Sequence, residues 1–379
     1  MASTRRVVPL IYYDGEEIGL TKRVEQIEYT DNAEGKADEI SMTFAGSSAD
    51  WLRMSKDIEK EHNLEVLLTF TSWDDPATYS NYHAGNFTVD DISFSGPPSV
   101  CTVRGISLPA STDFQTVKKS KIWYNVTLKQ IIQEKMAEYG MTTLYYWGEE
   151  PIIQVVEQSE QTDSEFLYDF CKHEGMFIKM YKVGFVVFDK KIYEARGAKV
   201  TFEPKPEADE EMENTSTRSY IESYQWNSTL VGTYTGATMS YTNPDSKKNT
   251  SQKKTTTKNT STDPNSYNVG KVDLAAANKM ITVTVGEGPR ILQINEHCDS
   301  EAEARRKAAA KVNEENEKAV TVTLVVICGV DATLNATDNF AIKGMGRLNG
   351  KYACTSVSHS IGSSGHRMTV TGYKIFNRL

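Results

Sequence analysis

Residues 162–190 read TDSEFLYDFCKHEGMFIKMYKVGFVVFDK, a short capped helix that runs straight into a two-stranded hairpin. Thr162 can cap the helix, and Glu165, three residues on, can reach back to close a capping box. Phe166, Leu167, Phe170 and Cys171 then fall on one helical face, and Gly175 supplies a left-handed stop. Met176–Tyr181 and Phe185–Asp189 read as paired strands around Lys182-Val183-Gly184. The unit holds no evident nucleophile, base or ligand set. It predicts an α+β module rather than an active site.

The strands on either side set the fold class. Arg6–Tyr13, Gly19–Tyr29, Glu39–Ala45, Glu65–Ser72, Gly85–Ser95 and Val100–Ser107 are short apolar runs broken by Gly, Asp, Asn and Pro. Asp14-Gly15 marks a two-residue hairpin, Gly96-Pro97-Pro98 a turn, and Ala49–Glu59 a helix. This spacing predicts a closed barrel or sandwich. Further on, Thr127 and Gln130 pair as a capping box before an apolar stripe that ends at Gly140. Strand patterns return from Tyr220. They run through Lys279–Val285, Ala319–Cys328, Asn339–Lys343, Lys351–Ile361 and Arg367–Phe376, with an Ala-rich helix capped by Ser300 and Glu303 and an Asn349-Gly350 hairpin turn. Asn243–Asn268 has no large aliphatic residue and reads as a flexible polar loop or linker.

The expected fold class is α+β, predominantly β, with barrel domains at 1–108 and 220–379 flanking a smaller α+β module at 109–219. The second barrel carries the polar insertion 243–268.

Composition narrows the function. The chain has 379 residues, 39% of them hydrophobic, and a net charge of −9, which argues against a positive groove for stable nucleic-acid binding. The charge suits first a soluble surface, and more specifically a surface that must not hold passing DNA. No run approaches the roughly 18 apolar residues that cross a bilayer, and Met1–Pro9 lacks the apolar core of a signal peptide. Cys101, Cys171, Cys298, Cys328 and Cys354 are scattered and odd in number, which points to folding in a reducing cytoplasm without a disulfide framework.

The chemical motifs fail in detail. His173-Glu174 lacks the second histidine of a zincin, and His62, His83, His297, His359 and His366 form no local ligand pattern. Gly344-Met345-Gly346 with Gly350 has Asn349 in the third glycine position of a dinucleotide loop and a strand where the helix belongs. Gly286–Pro289 lacks the Lys-Ser/Thr of a P-loop, and Ser363-Ser364 lacks GxSxG spacing. The carboxylate pairs are Asp74-Asp75, Asp90-Asp91, Glu149-Glu150 and the run Glu207–Glu213. Neighbours on a strand point to opposite faces, so Asp90 and Asp91 cannot serve one substrate together. No catalytic, cofactor-binding or metal-binding residue is assigned, and no cofactor is expected. Tyr145-Tyr146-Trp147 is the compact aromatic candidate for a carbohydrate or receptor site, against its reading as a packed strand of the middle module.

Several stretches resemble, in matching order, the hub proteins of contractile phage tails, the late control protein D family. Ala37-Asp38-Glu39-Ile40-Ser41-Met42-Thr43-Phe44 looks like the family's early strand, and Gly85–Ile92 through Ser95-Gly96-Pro97-Pro98 and Val103–Ser107 like its β-turn-β signature. Lys118–Trp123 with Asn125–Leu128 resembles the approach to its middle helix, and Gly346–His359 its C-terminal barrel hairpin. The 162–190 unit is similar to a recurrent segment of the same family.

The resemblance implies two domains like the tail-tube subunit and a homotrimer that presents a pseudo-six-fold ring. Such a ring joins the six-fold tail tube to the three-fold central spike. Other baseplate proteins and the tape measure are further partners. The protein is expected to be made in the bacterial cytoplasm and built into the baseplate of a virion or phage-tail-like bacteriocin, without enzymatic turnover. No lysozyme domain is fused in this sequence, so wall cleavage is expected of a separate partner. The alternatives are a tail-tip peptidoglycan hydrolase and a receptor- or carbohydrate-binding β-protein.

Overall fold

In the computed structural model the described residues are 6–17, 23–46, 59–60, 62–71, 79–107, 113–205, 219–242, 280–296, 298, 300–330, 333–363 and 365–379. Residues 49–58 of the expected first helix lie outside them, as do Asp74-Asp75, Glu207–Glu213 and the 243–268 tract. The chain divides into two compact units, Met1–Gly232 with Glu317–Asn377, and Thr233–Asn316 with Arg378–Leu379. The fold is predominantly β with α+β elements, as the strand patterning predicts.

The larger unit begins with seven strands. They are β1 (Arg6–Tyr13), β2 (Glu16–Glu17), β3 (Val24–Asn32), β4 (Glu39–Ala45), β5 (Asn63–Thr71), β6 (Tyr79–Ser95) and β7 (Val100–Ile106). Asp14 and Gly15 both have positive φ, at 48° and 85°, so the Asp-Gly pair makes the predicted hairpin turn between β1 and β2. The antiparallel order is β3-β4-β7-β6-β5-β1. Strict alternation drives it. Ile40, Met42 and Phe44 of β4 and Leu64, Val66, Leu68 and Phe70 of β5 all point into one core with Ile27, Tyr29, Phe87 and Val103.

The middle segment supplies α1 (Asp113–Thr116), β8 (Lys119–Val126), α2 (Leu128–Glu138), β9 (Thr143–Trp147), β10 (Ile153–Gln161), α3 (Asp163–His173), β11 (Met176–Tyr181), β12 (Gly184–Asp189) and α4 (Lys190–Ala195). Both predicted capping boxes are present, Thr127 with Gln130 and Thr162 with Glu165, and Gly175 takes the left-handed φ of 72°. The sheet β11-β12-β9 is covered on both faces. Ile178, Met180, Phe185 and Val187 pack with the helices, whereas Phe177 and Phe188 pack with Ala33, Tyr193, Ala336, Ala353 and Tyr373.

A closed barrel follows. Its strands are β13 (Ala198–Pro204), β14 (Tyr220–Ser228), then, after the second unit, β18 (Val320–Ile327), β19 (Asn339–Ile342), β20 (Gly350–Gly362) and β21 (Gly365–Lys374). The ring runs β13-β14-β18-β21-β20-β19 and closes where β19 pairs with β13. Phe202, Leu324, Phe340, Tyr352, Val357 and Val370 fill it. β20 is shared. Residues 350–353 pair with β19, residues 356–362 pair with β3, and an irregularity between Cys354 and Ser356 separates the two stretches. The expected tight Asn349-Gly350 turn is instead a longer connection, Lys343–Asn349. Gly344 and Gly346 take positive φ there, and Asn349 Oδ1 accepts from Met345 N–H at 2.8 Å.

The second unit pairs β15 (Gly236–Thr242) with β16 (Met280–Gly286) and β17 (Ile291–Asn295) beneath α5 (Glu301–Glu317). Ala304, Ala308 and Val312, each one turn apart, pack on Ala237, Met239 and Val283. Among the described residues no helix is long and apolar enough to cross a membrane.

Gly184 tests the packing of the β9–β12 pair. Its φ is 157°, and a Cβ there would collide with the Thr143 carbonyl, whereas Gly140 has open space around it. Gly184→Ala is therefore expected to cost about 3 kcal/mol or more in urea unfolding, and Gly140→Ala only about 1–2 kcal/mol for its left-handed backbone. Equal losses would show that the pairing is not as described.

Candidate functional site

The residues weighed for chemistry are scattered over the fold. Asp90 and Asp91 lie on β6, where its pairing with β7 shifts register between Val89 and Asp91, and Glu150, in the loop after β9, pairs with Lys129 at 2.8 Å. His62 pairs with Asp14 at 2.6 Å, and His83 with Glu65 at 2.9 Å. His173 closes α3, and the Gly344–Gly350 stretch joins two strands. Among the described residues no cluster of three or more His, Cys, Asp and Glu is arranged to hold a metal ion. All five cysteines are buried thiols.

What the structure does gather is buried charge at the joints between modules. On β11, within the apolar run MFIKMY, Lys179 points away from the helices and reaches β3. Its ammonium donates to Asp31, to Asp38 Oδ1 at 3.0 Å and to the Asn32 carbonyl at 3.0 Å. Asp31 Oδ2 also accepts from Ala336 N–H at 2.8 Å, and Asp38 Oδ1 from Asn32 N–H at 2.9 Å. Burial pushes Asp38 up to about 7 against the pull of Lys179. Burial acts the other way on Lys179, but Asp31 and Asp38 outweigh it and raise the ammonium's pKa. A cavity of about 260 Å³ opens beside the cluster, lined also by Tyr29, His83 and Lys182. Three parts of the chain, β3, β11 and the 335–336 segment, thus converge on one ammonium.

A second cluster organises the middle segment. Asp163, fully buried at the first position of α3, accepts from Lys135 at 2.7 Å, Lys119 at 2.9 Å, Tyr139 at 2.6 Å and Gln158 at 2.9 Å. Burial opposes its ionisation, yet these donors together pull its pKa down to about 2.

The outward surface of the same segment carries several exposed apolar side chains. Trp123 of β8 is buried, so Ile122 and Tyr124 face out, and Val155 of β10 stands opposite Tyr124 in register. Tyr124 is 65% exposed. The aromatic triplet is split by strand alternation. Tyr146 packs inward, while Tyr145 and Trp147, 53% and 46% exposed, stack on each other at 5.7 Å. Sequence reasoning placed this triplet but missed both charge clusters. A lysine inside an otherwise apolar strand was the available signal for the first. The spacing of Lys119, Lys135 and Asp163 carries none for the second. The structure also brings His359 and His366 together across the β20–β21 hairpin, where no local ligand pattern could be read.

Residues 108–365 match the family model described as phage tail baseplate hub (GPD). A probable baseplate hub protein of Escherichia phage 186 is 24% identical over 192 residues, 50% of this chain, and the match covers 45% of that relative's length. A tail protein from Neisseria meningitidis MC58 is similar in structure with a TM-score of 0.66 at 8% identity, over 97% of this chain and 96% of that one. The 43 kDa tail protein of prophage MuSo2 from Shewanella oneidensis gives 0.62 at 12% identity, over 97% and 98%. An E. coli protein described as a component of the type VI secretion system gives 0.56 at 9% identity, over 97% and 77%. At these identities the structural likenesses show the fold.

Both clusters yield measurable expectations. Lys179→Met leaves two buried carboxylates without their cation and is expected to cost about 3–5 kcal/mol in urea unfolding. A loss below about 1 kcal/mol would mean the cluster does not hold the joint. Asp163, its carboxyl held low, stabilises the fold above the unfolded carboxylate value near 4 and loses that contribution as pH falls from about 4 to 2. The stability gap between wild type and Asp163→Asn, about 2 kcal/mol at pH 7, is therefore expected to close over that interval. A gap that stays constant from pH 5 to pH 2 contradicts the assignment.

Proposed function

The chain belongs to the phage tail baseplate hub (GPD) family, and from that premise we propose that it forms a homotrimeric, pseudo-six-fold ring joining the six-fold tail tube to the three-fold spike. The role is structural, with no turnover. The observation that carries the reading is the pairing of two six-stranded systems in one chain, β1 with β3–β7 and the closed barrel, linked through β20. Three copies supply six such systems, the number a six-fold tube presents, and cyclic contacts between copies close the ring. The outward residues Ile122, Tyr124, Val155, Tyr145 and Trp147 are apolar surface available for tail partners, among them the spike and neighbouring baseplate proteins. The net charge of −9 suits a bore through which DNA passes without sticking. Synthesis in the bacterial cytoplasm precedes assembly into the particle.

Light scattering behind a sizing column, with electron microscopy, tests this. The expected species is about 127 kDa, three times the 42.4 kDa chain, and forms a ring with a central hole. A chain that stays monomeric and also ignores added spike protein overturns the proposal.

A further inference from the structure

The β20–β21 hairpin carries one histidine on each strand, and the assembly reading uses neither. His359 lies opposite Met368 and His366 opposite Ile361, which makes the two rings diagonal neighbours. His359 Nδ1 and His366 Nε2 are 2.9 Å apart, and the residues are 1% and 9% exposed. Aromatic rings box them in. The Tyr29 ring stacks 5.8 Å from His359, Tyr82 lies 5.2 Å from it, and Phe70 stacks on His366 at 5.0 Å. These three rings belong to β3, β6 and β5, whereas the histidines sit on the β20–β21 hairpin, whose strands belong to the barrel. The pair therefore marks the place where the hairpin tip seats in the first strand system. A cavity of about 290 Å³, lined by Val7, Phe70, Cys328, Ile361 and His366, leaves room beside the seat.

A 2.9 Å contact between two ring nitrogens needs one donor and one acceptor, which two neutral imidazoles supply. Among the described residues nothing hydrogen-bonds to His359 Nε2, which is buried. As a bare lone pair among aromatic rings it is tolerable. Protonating His359 turns that nitrogen into a buried N–H without an acceptor, and protonating both rings sets two cations side by side. Burial, reinforced by His366, already holds His359 well below the ordinary histidine range. Among the described residues, the titratable groups that face the pair include the hydroxyls of Tyr29 and Tyr82, which burial keeps protonated, and the Cys328 thiol at the cavity wall. Asp31 and Asp38, whose charges reach both tyrosines, are bonded to Lys179.

We propose that His359 and His366 form a pH-sensitive latch: with both rings neutral the hairpin tip is seated against β3, β5 and β6, and acidification unseats it. A histidine held low in the fold contributes stability that is complete above about 6.5 and lost as pH falls below it. The tip and the strands facing it open first. The latch acts within one chain, so it operates with or without ring assembly.

Urea unfolding of the full chain between pH 8 and pH 5, with hydrogen exchange followed by peptide, tests the latch. Asp38, held at about 7 in the fold, titrates in the opposite sense over the same interval, so the reading is the ratio of the wild-type unfolding constant to that of His359→Gln. That ratio is expected to rise roughly tenfold per pH unit once below about 6.5, with wild-type protection lost first in residues 357–368. A ratio that does not change with pH overturns the latch. If the variant does not fold, histidine-selective NMR of the wild type decides. His359 is expected to resist protonation well below 6.5. Ordinary titration of all six histidines overturns the latch equally.

Discussion

The buried ammonium of Lys179 is the constraint on which the larger unit depends. Removing one ammonium and two carboxylates from water costs several kcal/mol per ion, and only good geometry offsets that. The geometry here comes from β3, from the 335–336 segment ahead of β19, and from β11 itself. It works in one register. A slip of β11 by a single residue would turn Lys179 to the other face of its sheet, among Ile178, Met180 and the helices of the middle segment. An apolar joint of the same area would tolerate such a slip far better. The charge therefore sets where the middle segment docks, and the surrounding rings of Phe177, Phe188 and Tyr193 supply the area.

Around that joint the architecture is a single connected ladder. β20 pairs with β21 along both halves, and its other edge pairs with β19 over one half and with β3 over the other. Tyr193 adds a second tie, its single hydroxyl hydrogen shared between the Asp338 and Cys354 carbonyls, each 2.9 Å away. Relative motion of the two strand systems thus has to break backbone hydrogen bonds or a buried hydroxyl network. For a structural component of a tail, that continuity is the relevant property. It ties the two strand systems of the larger unit together.

Much of the fold was legible locally. Arg6–Tyr13 and Glu39–Ala45 appear as strands with the bounds their alternation implies, and both capping boxes form because a Thr and its partner three residues on need nothing from the rest of the chain. The distant pairings were not legible. β13, AKVTFEP, carries weak alternation and finds its partner β19 about 140 residues later, so nothing local marks it as a barrel strand. The Asn349-Gly350 dipeptide misled because Gly344 and Gly346 had already lengthened the connection. The aromatic triplet was half legible, since period-2 alternation separates Tyr146 from Tyr145 and Trp147 but does not say which face is covered. The ordered resemblance to tail hub proteins carried the function, and no constellation of reactive groups did.

The second unit enters the chain between β14 and β18, two strands that pair with each other. Ser228 stands opposite Val320 in that ladder, and Thr229 N–H donates to the Ala319 carbonyl at 2.8 Å. The chain therefore departs from the barrel and returns to it at adjacent rungs, as it would for an ordinary hairpin loop. Closing a longer excursion between fixed ends costs only about 0.6 kcal/mol for each doubling of its length. The barrel is thus nearly indifferent to what fills the excursion. An excursion of another length or content can be closed there while the β14–β18 ladder keeps its register.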